Sequence, residues 1–202
     1  MTRDLLFDLG GVIVDIRRRD CIDAFQKLGF ADIADYLGDY GQKGIFFDIE
    51  AGRIGADEFR AEIHKHIPQA VSDGQIDQAF NAFILGIPLQ RLEALRRLRA
   101  EGHRTFVISN TNPIMWEQSL RDAFAGEGRD ISAYFDGVVT SFEAGCCKPD
   151  KRIFDLCVER FGIVPEETTF FDDSEANCEA ATRLGFRSVH VPPQSSFMEF
   201  LK

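Results

Sequence analysis

The 202-residue sequence predicts an α/β fold, a parallel sheet core interrupted by an inserted helical segment. Short apolar runs rich in β-branched and aromatic residues alternate with helical patterns, as in βαβ units. Polar residues directly follow several of these runs, and a long stretch after the first run has helical periodicity only. With 45% hydrophobic residues, the chain can bury a substantial core.

Five short apolar runs are predicted as the strands of the sheet. The first ends at Asp8, inside the segment FDLGGVIVD at residues 7–15. The others are TFVIS at 105–109, GVVTS at 137–141, TTFFD at 168–172 and RSVHV at 187–191. Three helices are predicted between them, because proline or serine opens each helical pattern and glycine closes it. They occupy residues 88–102, 149–162 and 174–185.

Residues 17–87, which we call the insert, carry helical periodicity without a convincing strand pattern. Helices are expected to begin near Arg18, Ala31, Gln42, Asp57 and Ser72. Gln75 stands three residues after Ser72, which is the spacing of a capping box. Seven phenylalanines, from Phe25 to Phe83, are interpreted as the core of this insert. The predicted division is therefore a core of residues 1–16 and 88–202 and an all-helical insert of residues 17–87.

The composition excludes some classes of function. A net charge of −10 and a pI near 4.9 argue against non-specific binding to nucleic acid or to anionic membranes. No apolar run approaches the roughly 20 residues of a membrane span, and the amino terminus has no export pattern. An odd number of scattered cysteines, five, fits reduced thiols. We expect a cytoplasmic protein, whose oligomeric state the sequence does not indicate.

Ligands of an open parallel sheet bind beyond the carboxyl ends of its strands, so the residues there are the candidate site. Three carboxylates meeting at this edge would repel one another unless a cation lay between them, and Mg²⁺ prefers oxygen ligands. The sequence therefore predicts a magnesium site. The polar residues at or near the strand ends are Asp8, Ser109, Asn110, Lys148, Asp172 and Asp173.

The same residues suit a small phosphorylated substrate. Together with the cation, Lys148, the hydroxyl of Ser109 and backbone N–H groups of the glycine-rich turn would neutralise a phosphoryl group, and Asn110 is a further candidate for binding it. Gly10 and Gly11 would let the backbone approach phosphate, and the carbonyl of Gly10 could reach the metal. The carboxylate of Asp8 could attack phosphorus and form an aspartyl-phosphate.

The segments FDLGGVIVD, SNT, CKP and FFDDSEAN together resemble the four motifs of the haloacid dehalogenase-like hydrolases. This resemblance implies a Rossmann-like core and a small mobile helical cap. It places the family's nucleophile on Asp8, its phosphate-binding hydroxyl on Ser109 and its lysine on Lys148. The family's metal-binding acids fall on Asp172 and Asp173, of which Asp173 is the better candidate for direct contact.

Gly10 departs from the family pattern, because most phosphatases of this superfamily carry a general acid–base aspartate there. Three alternatives follow. The first is a phosphatase for a good leaving group such as a sugar 1-phosphate, since the motifs resemble the bacterial α-D-glucose-1-phosphate phosphatase group. The second is a 2-haloacid dehalogenase, and the third is a non-catalytic phosphate-binding protein. Asn112 and Trp116 are candidates for substrate selection because they closely follow the second motif.

Overall fold

A five-stranded parallel sheet forms the centre of the computed structural model, which describes residues 4–38, 41–125 and 128–201. The strands are β1 Asp4–Phe7, β2 Asp15–Ile16, β3 Ile84–Gly86, β4 Arg104–Ser109, β5 Gly137–Thr140, β6 Thr168–Asp172 and β7 Arg187–His190. The sheet has the strand order β5-β4-β1-β6-β7, and β2 pairs with β3 in a separate antiparallel ribbon. The parallel order brings the carboxyl ends of β1, β4 and β6 together at the centre of one edge.

Hydrophobic side chains cover both faces of the sheet. Along β1, Leu5 and Phe7 belong to one buried cluster and Leu6 to another, as expected for side chains that alternate between faces. Strands buried on both faces read as continuous apolar runs, which is why the sequence reveals them. The predicted parallel sheet core is therefore confirmed.

The described residues form ten α-helices, of which the first four belong to the insert and the other six to the core. They are α1 Arg18–Leu28, α2 Ile45–Glu50, α3 Ala56–His66, α4 Asp73–Asn81, α5 Leu89–Ala100, α6 Pro113–Met115, α7 Arg121–Ala125, α8 Ser141–Ala144, α9 Lys151–Phe161 and α10 Glu175–Arg183. Short 3₁₀ segments occupy Ile33–Asp35, Ile131–Ala133, Pro165–Glu167 and Phe197–Phe200, and a π-helical segment occupies Trp116–Leu120. None of the described helices is both long enough and apolar enough to cross a membrane.

The insert is mostly helical, with two differences from the prediction. The helix expected near Ala31 is only a 3₁₀ turn at Ile33–Asp35. The expectation of no strand in residues 17–87 is wrong, because Ile84–Gly86 forms β3 and pairs with β2. This ribbon connects the insert to the core. With only three residues, β3 is too short to show a strand pattern in the sequence. The division at residues 16/17 and 87/88 itself stays a prediction.

Local signals in the insert and core were interpreted correctly in most cases. Ser72 and Gln75 form the predicted capping box at the start of α4. The rings of Phe46 and Phe80 pack edge to face with centroids 5.2 Å apart, as expected for a phenylalanine core. Ser174 does occupy the N-cap position of α10, but its side chain makes no capping hydrogen bond, so that part of the prediction is wrong.

Candidate active site

Asp8 and Lys148 meet at the carboxyl edge of the sheet. Asp8 directly follows β1, and its N–H donates to the carbonyl of Phe171 over 2.8 Å, which holds it against β6. The Lys148 Nζ lies 2.7 Å from Asp8 Oδ1 and 2.7 Å from Asp172 Oδ2. All three side chains are buried. The structure therefore brings together the predicted nucleophile, the predicted lysine and one predicted metal ligand.

Asn110 fixes the backbone of Lys148. Its side-chain Oδ1 accepts from the Lys148 N–H over 2.8 Å, and its Nδ2 donates to the Lys148 carbonyl over 3.0 Å. Asn110 follows β4, so these two bonds tie the lysine loop to the end of a central strand. The side chain of Asn110 thus positions Lys148, while contact between Asn110 and phosphate stays a prediction.

The two acids after β6 have different surroundings. Asp172 is fully buried, and its Oδ1 accepts from the Ser174 N–H over 2.8 Å and from the Asn177 amide over 3.0 Å. Since its Oδ2 already accepts from Lys148, both oxygens are engaged within the protein. Asp173 is partly exposed and lines the cavity described below. The contrast supports Asp173 as the acid better placed for direct contact with a metal.

The turn after Asp8 needs glycine at position 11. Gly11 has a φ of +76°, and a Cβ on it would lie 2.3 Å from Asp173 Oδ2. The Gly11 N–H donates to the Val14 carbonyl over 2.9 Å, so the expected donation from this N–H to phosphate is not supported. Gly11 instead makes room for Asp173. Phosphate binding by the backbone of Gly10 stays a prediction.

A cavity of about 100 Å³ is lined by both the sheet edge and the insert. From the core it is lined by six of the predicted site residues: Asp8, Gly10, Ser109, Asn110, Lys148 and Asp173. Asn112 and Trp116 are not among the described residues that line it. Asn112 is fully buried and caps α6 by accepting from the Met115 N–H, and Trp116 lines a separate cavity.

The sequence interpretation missed two polar residues of the insert that line the same cavity, Gln42 and Glu50. Glu50 ends α2 and is only 8% exposed. A signal was present, because Glu50 stands four residues after the buried Phe46 and therefore on the buried face of its helix. An acid on an apolar helix face is the feature that could have identified it.

The electrostatics of the site reflect three carboxylates around one ammonium. Burial, and then repulsion from Asp172 and Asp173, raises the pKa of Asp8 to about 8 against the attraction of Lys148. Burial and the charge of Asp172 raise the pKa of Asp173 to about 6. Burial alone would lower the pKa of Lys148, but Asp172 and Asp8 outweigh it and the pKa is raised. The site is short of positive charge.

Residues 5–185 match the family model described as haloacid dehalogenase-like hydrolase. The chain belongs to this family. A D-ribitol-5-phosphate phosphatase from Bacteroides thetaiotaomicron is 35% identical over 188 residues, which cover 93% of this chain and 91% of that protein. A match of this extent agrees with the four motifs read from the sequence.

Solved structures of the haloacid dehalogenase (HAD) family agree closely with this fold. A HAD family enzyme from Bacteroides thetaiotaomicron, in complex with magnesium and inorganic phosphate, is 36% identical, with a TM-score of 0.93 and 100% of both chains covered. A predicted HAD-like family hydrolase from Porphyromonas gingivalis is 34% identical, with a TM-score of 0.90 over 99% of this chain and 96% of that one. The predicted family and Rossmann-like fold are confirmed, as is the prediction of an enzyme of the HAD-like phosphatase class.

The donor set of this HAD-like site fits Mg²⁺, the predicted cofactor. One carboxylate oxygen from each of Asp8, Asp172 and Asp173 lies within 4.8 Å of the other two. Mg²⁺ takes oxygen ligands, and a cation among these carboxylates would offset the repulsion that, after burial, raises the pKa of Asp8 and of Asp173. Asp8 and Asp173 line the cavity and are suited to direct contact. Coordination by the Gly10 carbonyl stays a prediction.

Proposed function

We propose that this chain is a Mg²⁺-dependent phosphomonoester hydrolase in which Asp8 is the nucleophile. One observation carries the proposal: the buried ammonium of Lys148 lies 2.7 Å from Asp8 and 2.7 Å from Asp172, beside a cavity that Ser109 and Asp173 also line. A carboxylate, a hydroxyl and a cation around one small cavity are the groups that phosphoryl transfer to a carboxylate needs.

The reaction has two displacements. The Asp8 carboxylate attacks phosphorus, the bond from phosphorus to the leaving oxygen breaks, and an aspartyl-phosphate forms, while the leaving oxygen takes a proton from solvent water. Water then attacks phosphorus and gives up a proton to solvent, the bond between phosphorus and the Asp8 oxygen breaks, and Asp8 is regenerated with release of inorganic phosphate. Lys148 and Ser109 hold the phosphoryl oxygens in both steps, because an ammonium and a hydroxyl both donate to them. Mg²⁺, when bound between the carboxylates, supplies further positive charge to the phosphoryl group.

Glycine at position 10 limits the kind of leaving group that the substrate can have. A general acid that protonates the leaving oxygen contributes roughly 10²–10⁴-fold to the rate, and glycine at position 10 cannot supply it. This favours leaving groups that depart without much help, such as the anomeric oxygen of a sugar 1-phosphate. D-ribitol 5-phosphate, the substrate in the name of one relative, has a primary alcohol as its leaving group instead. Both compounds belong to one class, small monophosphates with a hydroxylated leaving group, and we propose this class as the substrate.

Phosphate release from a panel of such compounds, with Mg²⁺ and with a chelator, tests this function. We expect turnover that requires Mg²⁺ and disappears in the variant Asp8→Asn. Chloride release from 2-chloropropionate in the presence of chelator would support the dehalogenase alternative. Retained binding of inorganic phosphate with no turnover of any ester would support the non-catalytic alternative.

A further inference from the structure

The insert contributes few polar side chains to the cavity. The described residues of the insert that line it are Gly41, Gln42, Glu50, Phe80, Phe83 and Ile84. Four of these six are glycine or hydrophobic, so Gln42 and Glu50 are the polar side chains that this wall offers. Asp8, Ser109 and Lys148 line the same cavity, and the phosphoryl group would bind to them. A leaving group attached to that phosphoryl group would therefore share the cavity with Gln42 and Glu50.

Glu50 and Gln42 act on each other in the wall of the cavity. The Gln42 side chain, as a hydrogen-bonding group beside the Glu50 carboxyl, lowers the pKa of Glu50 against the larger effect of burial. Gln42 Oε1 accepts from the Gly38 N–H over 3.2 Å, which leaves the amide nitrogen of Gln42 as its free donor group. Two polar side chains held in this way present hydrogen-bonding groups in a defined arrangement. This preorganisation is what recognition of a polar ligand requires.

The burial of Glu50 is costly for a structural residue. Burial is the main cause that raises the pKa of its carboxyl to about 8, with a smaller contribution from the charge of Asp8. A carboxyl group that keeps its proton near neutral pH both donates and accepts hydrogen bonds. A hydroxyl group has the same two capacities, so the two groups complement each other. A second anionic group in the same place would meet a carboxyl rather than a cation.

We propose that Glu50 and Gln42 determine substrate specificity by hydrogen-bonding the hydroxyl groups of the leaving group. This inference rests on the phosphomonoesterase function proposed above and adds the residues that select the substrate. It predicts that, between substrates with the same number of carbon atoms, the enzyme prefers the one whose leaving group carries hydroxyl groups. A site built to pair with hydroxyls rejects an analogue that lacks them, because its buried polar groups then stay unpaired.

The test compares D-ribitol 5-phosphate with n-pentyl phosphate, which has the same number of carbons and a primary alcohol as leaving group but no other hydroxyls. Each is assayed with Mg²⁺ in the wild type, Glu50→Ala, Glu50→Gln and Glu58→Ala, the last being an exposed acid of α3. The measured quantity is kcat/KM for D-ribitol 5-phosphate divided by kcat/KM for n-pentyl phosphate. We expect Glu50→Ala to lower this ratio by about 10-fold or more, mainly by raising KM for D-ribitol 5-phosphate. Glu50→Gln should recover part of the ratio, and Glu58→Ala should keep the wild-type ratio.

The outcomes separate the inference from the function on which it rests. An unchanged ratio in Glu50→Ala and Glu50→Gln would overturn the inference while leaving the phosphomonoesterase function intact. A fall in kcat that is equal for both substrates, with KM unchanged, would also overturn it, because Glu50 would then act on the reaction step. If the wild type released phosphate from neither compound nor from p-nitrophenyl phosphate, the proposed function would fail as well. Thermal unfolding of each variant identifies any that does not fold.

Discussion

The ammonium of Lys148 lies 2.7 Å from Asp8 and 2.7 Å from Asp172, and it links the strand-end acid of β1 to that of β6. The lysine side chain is only 1% exposed, so both contacts operate where water screens them little. One ammonium does not balance the charges of Asp8, Asp172 and Asp173. Burial is the largest cause of the raised pKa of Asp8 and of Asp173, and this imbalance of charge adds to it.

Replacing Lys148 should destabilise the fold as well as abolish activity. In Lys148→Met the two carboxylates lose their partner, and removal of one member of a buried ion pair typically costs about 3–5 kcal/mol. Urea unfolding of the metal-free protein near neutral pH measures this loss. The matched control is Lys151→Met, which removes an exposed ion pair with Asp155 and should cost less than about 1 kcal/mol. Equal losses in the two variants would contradict the role of Lys148 as a buried counter-ion.

Changing Asp172 and changing Asp173 to asparagine should have different effects on the enzyme. Asp173→Asn should raise the Mg²⁺ concentration needed for half-maximal activity by at least about 10-fold, because it removes a charge from a residue that lines the cavity. Asp172→Asn should mainly lower stability, because its oxygens serve Lys148, Ser174 and Asn177. Magnesium titrations and unfolding curves of both variants check this. The reverse pattern would assign direct metal contact to Asp172.

Adding the missing carboxyl at position 10 should broaden the substrate range. A Cβ on Gly10 would lie 3.3 Å from the Cδ1 of Ile16, the end of a flexible side chain, so the site can accept a larger residue after a small shift. Gly10→Asp should then raise turnover of alkyl phosphates by up to about 10²–10⁴-fold. Gly10→Ala carries the Cβ without the acid and should give no gain. Equal rates in the two variants on n-pentyl phosphate would count against the missing acid as the limit.

The stability of the protein should depend on pH through Glu50. The pKa of its carboxyl is raised from 4.5 to about 8 in the folded state. The folded protein therefore holds this proton more tightly than the unfolded chain does, and wild-type stability falls as pH rises through this window. Glu50→Gln has no such loss, so its advantage over the wild type should grow with pH, by an amount on the order of 4 kcal/mol.

Urea unfolding of the metal-free wild type and Glu50→Gln, at about pH 5 and about pH 8.5, measures this difference. Titrating groups that do not interact with Glu50 are common to both proteins and cancel in the comparison, and Asp8, whose charge acts on Glu50, contributes a smaller difference. A difference in unfolding free energy that is the same at both pH values would show that the carboxyl of Glu50 titrates normally.

The candidate site was largely predictable because its signals are local. Asp8, Ser109 and Asp172 each stand at or directly after a buried apolar strand, and parallel strands share the edge at which they end. Lys148 stands further from a strand end, and the signal for it was its position before the helix predicted at residues 149–162. The order of these residues along the chain was therefore enough to indicate both the sheet and the chemistry.

The features that the sequence did not reveal depend on contacts between distant segments. The two hydrogen bonds between the Asn110 side chain and the Lys148 backbone join residues 38 positions apart. β3 is extended because it pairs with β2, and a three-residue apolar segment carries no period of its own. Glu50 looks like an ordinary helix residue until the packing of the insert places it at the cavity. In each case the conformation or function of a residue depends on a segment that is distant in the sequence.

Covalent trapping of the intermediate tests the central claim most directly. Wild-type enzyme mixed with Mg²⁺ and D-ribitol 5-phosphate is quenched in acid within a single turnover, digested and analysed by mass spectrometry. The account predicts one added phosphoryl group on the peptide that contains Asp8, and none on that peptide from Asp8→Asn. Rapid release of phosphate with no label on Asp8, or with the label on Ser109 instead, would contradict Asp8 as the nucleophile.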